Sequence, residues 1–514
     1  MSGTGGTGGT GERPRGGADR RDRQGRERGA ARAQGRGART AAAPSARRRA
    51  GDPARGAAYD VLRAVDTSDS YANLVLPPLL RERRVAGRDA AFATELAYGT
   101  LRLRGRYDAV IELCASRPAA SIDPPVLDLL RLGMHQVLGM RVPAHAAVSE
   151  TVGLARERAG TGASQFVNAV LRAASREPLE TWLERIADAA QPADDTTRLA
   201  VTESHPAWVV RALREALAGS GRAVTELGDL LRADNQAPQV TLVARPGLVE
   251  PDELAADAGG ARPGRWAPTA LVLEGGGDPA ALAAVRDGRA GVQDEGSQLV
   301  ALALTGAPLE GPDERWLDLC AGPGGKAALI GAVAAQRGAR LVANEVQPHR
   351  ARLVEQAVAG LPAGAVEAVR TGDGRTLGTD DPGAYDRVLV DAPCTGLGAL
   401  RRRPESRWRR SPADLAGLAE LQRALLTSAL AAVRVGGVVA YVTCSPHLAE
   451  TQLVVKDVVR ARTKAGDGVE VLDARAAVLA VAPAIELPER DDVQLWPHVH
   501  GTDAMHLTLL RRTS

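Results

Sequence analysis

Two cysteines of this chain follow strand-like apolar runs, each in a turn that contains proline. Cys394 lies in the segment Asp391-Ala392-Pro393-Cys394-Thr395-Gly396, directly after the run 387–390. Cys444 lies in the segment Thr443-Cys444-Ser445-Pro446, after the run 437–440. A single cysteine in such a place is usually a small buried apolar residue. Because neighbouring strands of one sheet end at the same cleft, we interpret the two thiols as a pair that faces one substrate.

A glycine-rich turn separates another apolar run from a helical pattern. The run 316–319 ends at Cys320-Ala321-Gly322-Pro323-Gly324-Gly325-Lys326, and the helical pattern begins at Ala327. Strand, glycine turn and helix in this order are typical of a nucleotide-binding α/β sheet, in which glycines let the backbone approach a ligand at the helix N-terminus. The chain has only three lysines among its 65 basic residues, and one of them, Lys326, lies in this turn.

The turn differs from the two common phosphate-binding turns. A P-loop requires glycine where Cys320 stands and a hydroxyl residue where Ala327 stands, and the Gly-x-Gly-x-x-Gly spacing of dinucleotide-binding folds is missing as well. Glu345 ends the next apolar run, about twenty positions after Gly325, a distance that suits a carboxylate holding ribose hydroxyls. We therefore predict an adenosine-containing cofactor without a pyrophosphate.

A cysteine beside an adenosine cofactor suits methylation at carbon 5 of cytosine. That carbon is a poor nucleophile until a thiolate adds to carbon 6, which turns the ring into an enamine-like species that attacks an electrophilic methyl group. A carboxylate such as Asp391 suits hydrogen bonding to N3 and the amino group of the base. A base must then remove the proton from carbon 5, and the reactive thiol needs a lowered pKa. From the residues alone, either Cys394 or Cys444 serves as the nucleophile.

The elements that must position these residues follow from the apolar periodicity. From residue 57 to about 176 the pattern is helical throughout, and short strands with Gly/Pro-rich turns follow between 239 and 289. Beyond residue 316, strand-like runs alternate with helical ones, at 316–319, 340–344, 366–370, 385–390, 437–443, 468–472 and 505–510. This alternation predicts an α/β fold with a doubly wound sheet, whose ligands bind at the carboxyl ends of the strands.

The motifs also resemble a known family. The segments 318–326, 391–396 and 443–445, in this order, are similar to those of the RsmB/Sun (Fmu) family of bacterial 16S ribosomal RNA cytosine-5 methyltransferases, and the segments 89–102, 143–152 and 166–172 resemble a NusB-type RNA-binding helical domain. The resemblance spans roughly residues 57–512. One departure is that Gly501-Thr502-Asp503 continues with Ala504-Met505-His506, where the family often has Gly-Phe-Phe.

The resemblance implies a Rossmann-like methyltransferase sheet preceded by an all-α NusB-like domain and a small α+β insert. It also implies that Cys444 is the nucleophile and that Cys394 assists product release. The chemistry described above adds Asp391 to these catalytic residues. The cofactor is then S-adenosylmethionine. Its implied contacts are Cys320, Ala321, Gly322, Pro323, Gly324, Gly325, Lys326, Glu345, Asp373 and Asp391.

Four segments are expected from these patterns. Residues 1–55 carry 14 arginines and five acidic residues, and they form either a solvating leader or an RNA-tethering arm without order. Residues 56–178 form the NusB-like domain. Residues 179–300 form a helical connector and a small α+β (RRM-like) subdomain, and residues 301–514 form the catalytic domain.

The expected partner is small-subunit ribosomal RNA. In the basic run 400–410, Arg401, Arg402 and Arg403 are expected to bind phosphates and Trp408 to stack on an unpaired base. The spacing of the four cysteines predicts neither a disulfide framework nor a metal site, and no apolar stretch is long enough for a membrane span. We expect a cytoplasmic monomer. The alternatives are the same chemistry on transfer RNA or another RNA, and a non-catalytic RNA-binding ribosome assembly factor.

Overall fold

The computed structural model describes residues 52–68, 70–192, 194–274 and 278–514. The predicted tail, except for its last four residues, lies outside this part of the chain. In the described residues no helix is long and apolar enough to cross a membrane.

The first region is helical, as predicted. Its buried stripe begins at Ala58, Val61, Leu62 and Val65, the positions that share one face at 3.6-residue spacing. The helices are α1 Pro53–Ser68, α2 Ala72–Glu82, α3 Gly87–Arg102, α4 Arg104–Ala115, α5 Pro124–Met134 with a π-helical turn His135–Gly139, and α6 Ala144–Ala174. Four more helices continue the region, namely α7 Leu179–Ala189, α8 Asp195–Thr202, α9 Ala207–Gly219 and α10 Leu227–Asp234.

A small four-stranded antiparallel sheet follows the helices. Its elements are β1 Thr241–Ala244, α11 Pro251–Asp257, β2 Ala261–Pro263, β3 Ala270–Leu273, α12 Ala283–Arg286 and β4 Ala290–Val292. The strands are ordered β2-β3-β1-β4 and run βαββαβ along the chain, which is the ferredoxin-like arrangement. The two strands predicted here correspond to β1 and β3.

The large sheet contains all seven predicted strands. Its elements are α13 Glu295–Gly306, β5 Arg315–Asp318, α14 Gly325–Gln336, β6 Arg340–Glu345, α15 Pro348–Val358, β7 Val366–Thr371, α16 Leu377–Asp380, β8 Tyr385–Asp391, α17 Ser406–Arg409, α18 Asp414–Ala432, β9 Val433–Thr443, α19 Gln452–Ala465, β10 Val469–Leu472, α20 Ala474–Val481, β11 Val493–Gln494, α21 Pro497–His500 and β12 His506–Arg512. The strand order is β10-β12-β9-β8-β5-β6-β7, with β11 paired to β12. The predicted α/β fold is therefore confirmed.

The sheet is not wholly parallel. Strands β5 to β9 pair parallel, whereas β12 lies between β9 and β10 and pairs antiparallel to both. An antiparallel edge on an otherwise parallel sheet is common in doubly wound folds.

Both faces of the sheet are covered by helices. Trp316 and Leu389 point to the core formed with α13, α14 and α20, and their neighbours Leu317 and Val388 point to the core formed with α18. This alternation follows from the two-residue period of a strand. Fully burying each such large apolar side chain contributes about 1.5–3 kcal/mol, so the sheet is a rigid platform for the loops at its carboxyl edge.

Candidate active site

The glycine turn between β5 and α14 is formed by backbone that side chains would disrupt. Gly324 has φ +107° and is the N-cap of α14, and a Cβ at this position would lie 2.5 Å from Cβ of Ala357. A Cβ at Gly322 would lie 2.2 Å from Oε2 of Glu345. These two close approaches and the positive φ require glycine. The turn therefore presents bare backbone at a helix N-terminus, which is a favourable place for a polar ligand.

The carboxylate of Glu345 lies on this turn. Glu345 is the last residue of β6, as predicted, and it is buried. Its Oε2 accepts a hydrogen bond of 3.1 Å from the Gly322 N–H, and its Oε1 accepts one of 2.9 Å from the Gln347 N–H. Asp373, in the loop after β7, instead accepts hydrogen bonds from the Arg375 guanidinium at 2.9 and 3.0 Å. The structure thus brings Glu345, but not Asp373, into contact with the glycine turn.

A lysine from the glycine turn joins it to the end of β8. The Lys326 ammonium lies 2.8 Å from Oδ2 of Asp391, and this carboxylate raises the pKa of Lys326 against the opposing effect of burial. A compact ammonium suits this partly buried ion pair better than a planar guanidinium does. Lys326 therefore stays protonated beside the cysteine loops.

The two cysteine sulfurs are in contact. Sγ of Cys394 lies 3.4 Å from Sγ of Cys444, because β8 and β9 are parallel neighbours with Asp391 opposite Val442. The S–H of Cys394 lowers the pKa of Cys444, and Lys326 acts in the same direction against burial and the Asp391 carboxylate. The same contact, together with burial, raises the pKa of Cys394. Of the two sulfurs, Cys444 is therefore the one at which a thiolate is favoured.

Comparisons with known proteins show which family this chain resembles. The sequence model of a family described as 16S rRNA methyltransferase RsmB/F matches residues 307–511, and that of the NusB family matches residues 52–176. The chain is 54% identical over 455 residues to Putative methyltransferase Rv1407 of Mycobacterium tuberculosis, an alignment that covers 88% of this chain and 95% of that protein. It is 30% identical over 456 residues to Probable ribosomal RNA small subunit methyltransferase B of Bacillus subtilis, covering 88% and 97%. The chain belongs to the RsmB/F methyltransferase family.

The family resemblance expected from the motifs is therefore confirmed. A third relative, Ribosomal RNA small subunit methyltransferase B of Salmonella heidelberg, is 34% identical over 395 residues, covering 75% of this chain and 84% of that protein. Among solved structures, the crystal structure of PH0851 superposes with a TM-score of 0.72 at 19% identity and covers 90% of this chain and 99% of that one. That likeness shows that the two proteins share a fold.

In this RsmB/F family member two arginines of the basic segment 400–410 make ion pairs within the protein. The Arg401 guanidinium lies 3.3 Å from Asp503, and Arg402 lies 3.1 Å from the same carboxylate and also pairs with Asp294. These two arginines are thus taken up in ion pairs within the protein, where the sequence predicted phosphate contacts. Arg403 is exposed, and its Cζ lies 5.2 Å from the ring centroid of Tyr71.

The predicted stacking residue Trp408 is also packed against the helical region. Its indole is half-buried and occupies the space beside Gly105, where a Cβ would lie 2.4 Å from the ring. The RNA contact predicted for Trp408 would therefore require its ring to leave this packing. Among the residues that the structure describes, no group of three or more side chains is arranged to hold a metal ion.

Two buried polar residues beside the turn were not predicted. Asp318 ends β5, makes no hydrogen bond to another side chain, and has a pKa raised to about 8 by burial and by the Asp391 charge. Gln293, directly after β4, is buried with its side-chain oxygen unpaired, and its Cδ would lie 4.0 Å from a Cβ at Gly325. The position of Asp318 at the strand end was a usable signal, whereas Gln293 reaches the turn only through the packing of the small sheet.

Proposed function

We propose that this protein transfers a methyl group from S-adenosylmethionine to carbon 5 of a cytosine in 16S ribosomal RNA, through a transient bond between Cys444 and the base. The observation that carries the proposal is the 3.4 Å contact between the two cysteine sulfurs beside the Lys326–Asp391 ion pair. The curated relatives named as ribosomal RNA small subunit methyltransferase B support the substrate class.

The residues of the glycine turn fit S-adenosylmethionine. The turn has bare backbone at Gly322 and Gly324, where a Cβ would clash. Ala327 stands where a pyrophosphate-binding turn has either the third glycine of the Gly-x-Gly-x-x-Gly spacing or a hydroxyl residue. Residues 320–326 would hold the cofactor together with Glu345, Asp373 and Asp391. Glu345 would bind the ribose hydroxyls. Asp318, the last residue of β5 before this turn, adds a buried carboxyl whose oxygens have no hydrogen-bond partner. When bound, the cofactor supplies a methyl group carried on a positively charged sulfur.

Cys444 begins the reaction as the nucleophile. Its thiolate forms a bond to carbon 6 of the cytosine, and the electron pair of the C5–C6 double bond moves to activate carbon 5, which then accepts the methyl group. Asp391 is proposed to hydrogen-bond the N3 and amino edge of the base. Lys326, 2.8 Å from Asp391, holds that carboxylate in place and favours negative charge on the nearby sulfur.

Cys394 is proposed to act when the product leaves. A base removes the proton from carbon 5, the C5–C6 double bond forms again, and the bond between sulfur and carbon 6 breaks. Cys444 then departs as a thiolate. The S–H of Cys394 stabilises that thiolate in the resting protein, and the same contact would stabilise it as it departs.

Transfer of a labelled methyl group tests the proposal. The full chain is incubated with labelled S-adenosylmethionine and small-subunit RNA that lacks the modification, and bisulfite sequencing locates the product. We expect label at one cytosine, no label with Cys444→Ala, a protein–RNA adduct that accumulates with Cys394→Ala, and normal transfer with Cys114→Ala, in which the altered cysteine lies in α4.

Three outcomes would contradict the proposal. Normal turnover by Cys444→Ala would show that Cys444 is not the nucleophile. Label on transfer RNA but not on small-subunit RNA, when both are supplied, would show that the substrate is a different RNA. Binding of RNA without transfer of label would point to a non-catalytic assembly factor.

A further inference from the structure

A buried carboxylate lies between the loops that carry the two cysteines. Glu450 follows Cys444 by six residues and ends the short 3₁₀ turn Leu448–Glu450. Its side chain is 0% exposed. An ionised carboxylate in such a place is costly unless hydrogen bonds compensate for the lost water. The groups that supply these bonds indicate what the residue does.

The hydrogen bonds come from the residue that follows each cysteine. Oε1 of Glu450 accepts from the Thr395 N–H at 2.7 Å, and Oε2 accepts from the Thr395 hydroxyl at 2.5 Å. Oε2 also accepts from the Ser445 hydroxyl at 2.6 Å. Because Thr395 follows Cys394 and Ser445 follows Cys444, one carboxylate binds both loops next to their sulfurs.

The carboxylate is itself held from two further sides. The Tyr441 hydroxyl donates to the backbone carbonyl of Glu450 at 2.7 Å. The Gln422 side-chain amide, which reaches in from α18, donates to the Pro393 carbonyl at 2.8 Å and to Oε1 of Glu450 at 3.3 Å. These contacts connect β9, α18 and both cysteine loops, so Glu450 has little freedom to move.

The charge of Glu450 acts differently on the two sulfurs. The contact with Cys444 and burial raise the pKa of the Cys394 thiol most strongly. The negative charge of Glu450 opposes a thiolate at Cys394 and raises this pKa further. Tyr441 also faces this sulfur. The groups that act most strongly on Cys444 are instead Cys394, Asp391, Lys326 and Arg403. A negative charge on the Cys394 side therefore favours a proton on that sulfur and a thiolate on the other.

We propose that Glu450 is a positioning residue for the methyl transfer, which holds the two cysteine loops together and places its carboxylate on the Cys394 side, so that Cys444 is the sulfur free to attack. This inference rests on the proposed function. It goes further in naming the group that makes the roles of the two cysteines unequal. Glu450 acts through Thr395, Ser445 and the sulfurs and does not itself touch the base.

The test compares Glu450→Gln with an exposed carboxylate on the following helix. The amide has the size of the carboxylate but no charge, so the loops can stay packed while the electrostatic effect is lost. Asp457→Asn, in α19, is the matched control because Asp457 is half-exposed and pairs only with a surface arginine in the contacts observed, at 3.4 Å.

Two measurements are made on each variant. The first is the ratio of alkylation rates at Cys444 and Cys394, determined by peptide mass spectrometry between pH 6 and 9, which requires no activity. We expect Glu450→Gln to reduce this ratio at least tenfold and the control to leave it unchanged. The second is methyl transfer, for which we expect kcat to fall at least tenfold while KM for RNA stays within twofold.

The outcomes separate the two proposals. An unchanged alkylation ratio in folded Glu450→Gln overturns the positioning role, even if kcat falls, because a merely structural effect would lower activity and melting temperature without altering the ratio. A changed ratio in a protein that never transfers methyl groups overturns the proposed function and leaves the positioning role standing. If Glu450→Gln does not fold, Ser445→Ala removes only the link to the Cys444 loop and leaves the carboxylate beside Cys394. A fall in kcat with an unchanged alkylation ratio then supports the proposal, and an unchanged kcat overturns it.

Discussion

The backbone N–H of Gly398 donates a hydrogen bond of 2.8 Å to the carbonyl oxygen of Cys444. The carbonyl of Gly398 accepts in turn from the Ala504 N–H, also at 2.8 Å. The loop after Cys394 is thus joined through backbone atoms to the other cysteine loop and to the segment before β12. The bond from Ala504 uses a backbone N–H. The presence of Ala504-Met505-His506 where the family often has Gly-Phe-Phe therefore does not remove it.

Replacing Gly398 should therefore impair catalysis. A Cβ at this position would lie 2.4 Å from the Ala504 carbonyl oxygen and 2.8 Å from that of Cys444, so Gly398→Ala must move one cysteine loop. We expect methyl transfer to fall by about tenfold to a hundredfold, the usual effect of misplacing reacting groups by about 1 Å. Gly417→Ala, in α18, is the control, because the added Cβ would meet open space. Within a helix alanine is more stabilising than glycine by about 0.5–1 kcal/mol. Equal activity of the two variants would contradict the prediction.

Removing the thiol of Cys394 should raise the pKa of Cys444. The largest influence that lowers the pKa of Cys444 is the hydrogen bond from Cys394, and Cys394→Ala removes it. The alkylation rate of the Cys444 peptide, measured against pH, should shift its midpoint upward relative to the parent protein. Cys114→Ala should leave the midpoint where it is. A midpoint that stays constant in Cys394→Ala would show that the contact between the sulfurs does not set the reactivity of Cys444.

Asp234 should make the stability of the protein depend on pH. This carboxyl ends α10, is buried, and has a pKa raised to about 7 by burial against the attraction of Arg407. The folded state then holds a proton that the unfolded state releases between about pH 4 and 7, so this group's contribution to stability falls as pH rises through that window.

The variant Asp234→Asn isolates this contribution. Relative to the parent protein, this variant should gain stability as pH rises, by about 1.4 kcal/mol for each pH unit within the window. The measurement is the difference in melting temperature between the two proteins, taken from pH 5 to 8. Asp229→Asn, on the same helix with an exposed side chain, should show a constant difference. A constant difference for Asp234→Asn as well would mean that its carboxyl titrates normally.

The buried guanidinium of Arg407 should be important for the junction between the helical region and the large sheet. It donates to the carbonyls of Arg102 and Ser204 at 3.1 and 3.0 Å and to the Asn235 side chain at 2.8 Å. Arg407→Met leaves these acceptors without a donor, and breaking such a buried polar network costs about 3–5 kcal/mol. We expect a lower melting temperature and faster proteolysis, whereas the exposed Arg460→Ala should behave like the parent protein. Unchanged stability of Arg407→Met would show that water replaces the guanidinium.

Local patterns accounted for the elements of this fold but not for their order in space. The strands that carry the site were predicted within a few residues because their apolar runs are bounded by glycine, proline and strand-end acidic residues. The insertion of β12 between β9 and β10 was not predicted, since pairing partners are chosen by packing between distant segments. For the same reason the run at Arg401 and Arg402 was interpreted as an RNA contact, while its partners Asp294 and Asp503 lie about a hundred residues away.

The fold class, the glycine turn and the two cysteines at strand ends can be predicted from the amino-acid sequence, because each depends on residues that are close along the chain. The residues alone left the two sulfurs equivalent. Which sulfur lies where a thiolate is favoured depends on the tertiary structure, because the pKa of a thiol responds to donors and charges within a few ångströms. The contact with Cys394 and the Lys326 ammonium favour a thiolate at Cys444 against burial and the Asp391 carboxylate. The Glu450 carboxylate opposes a thiolate at Cys394, and only folding brings these groups together.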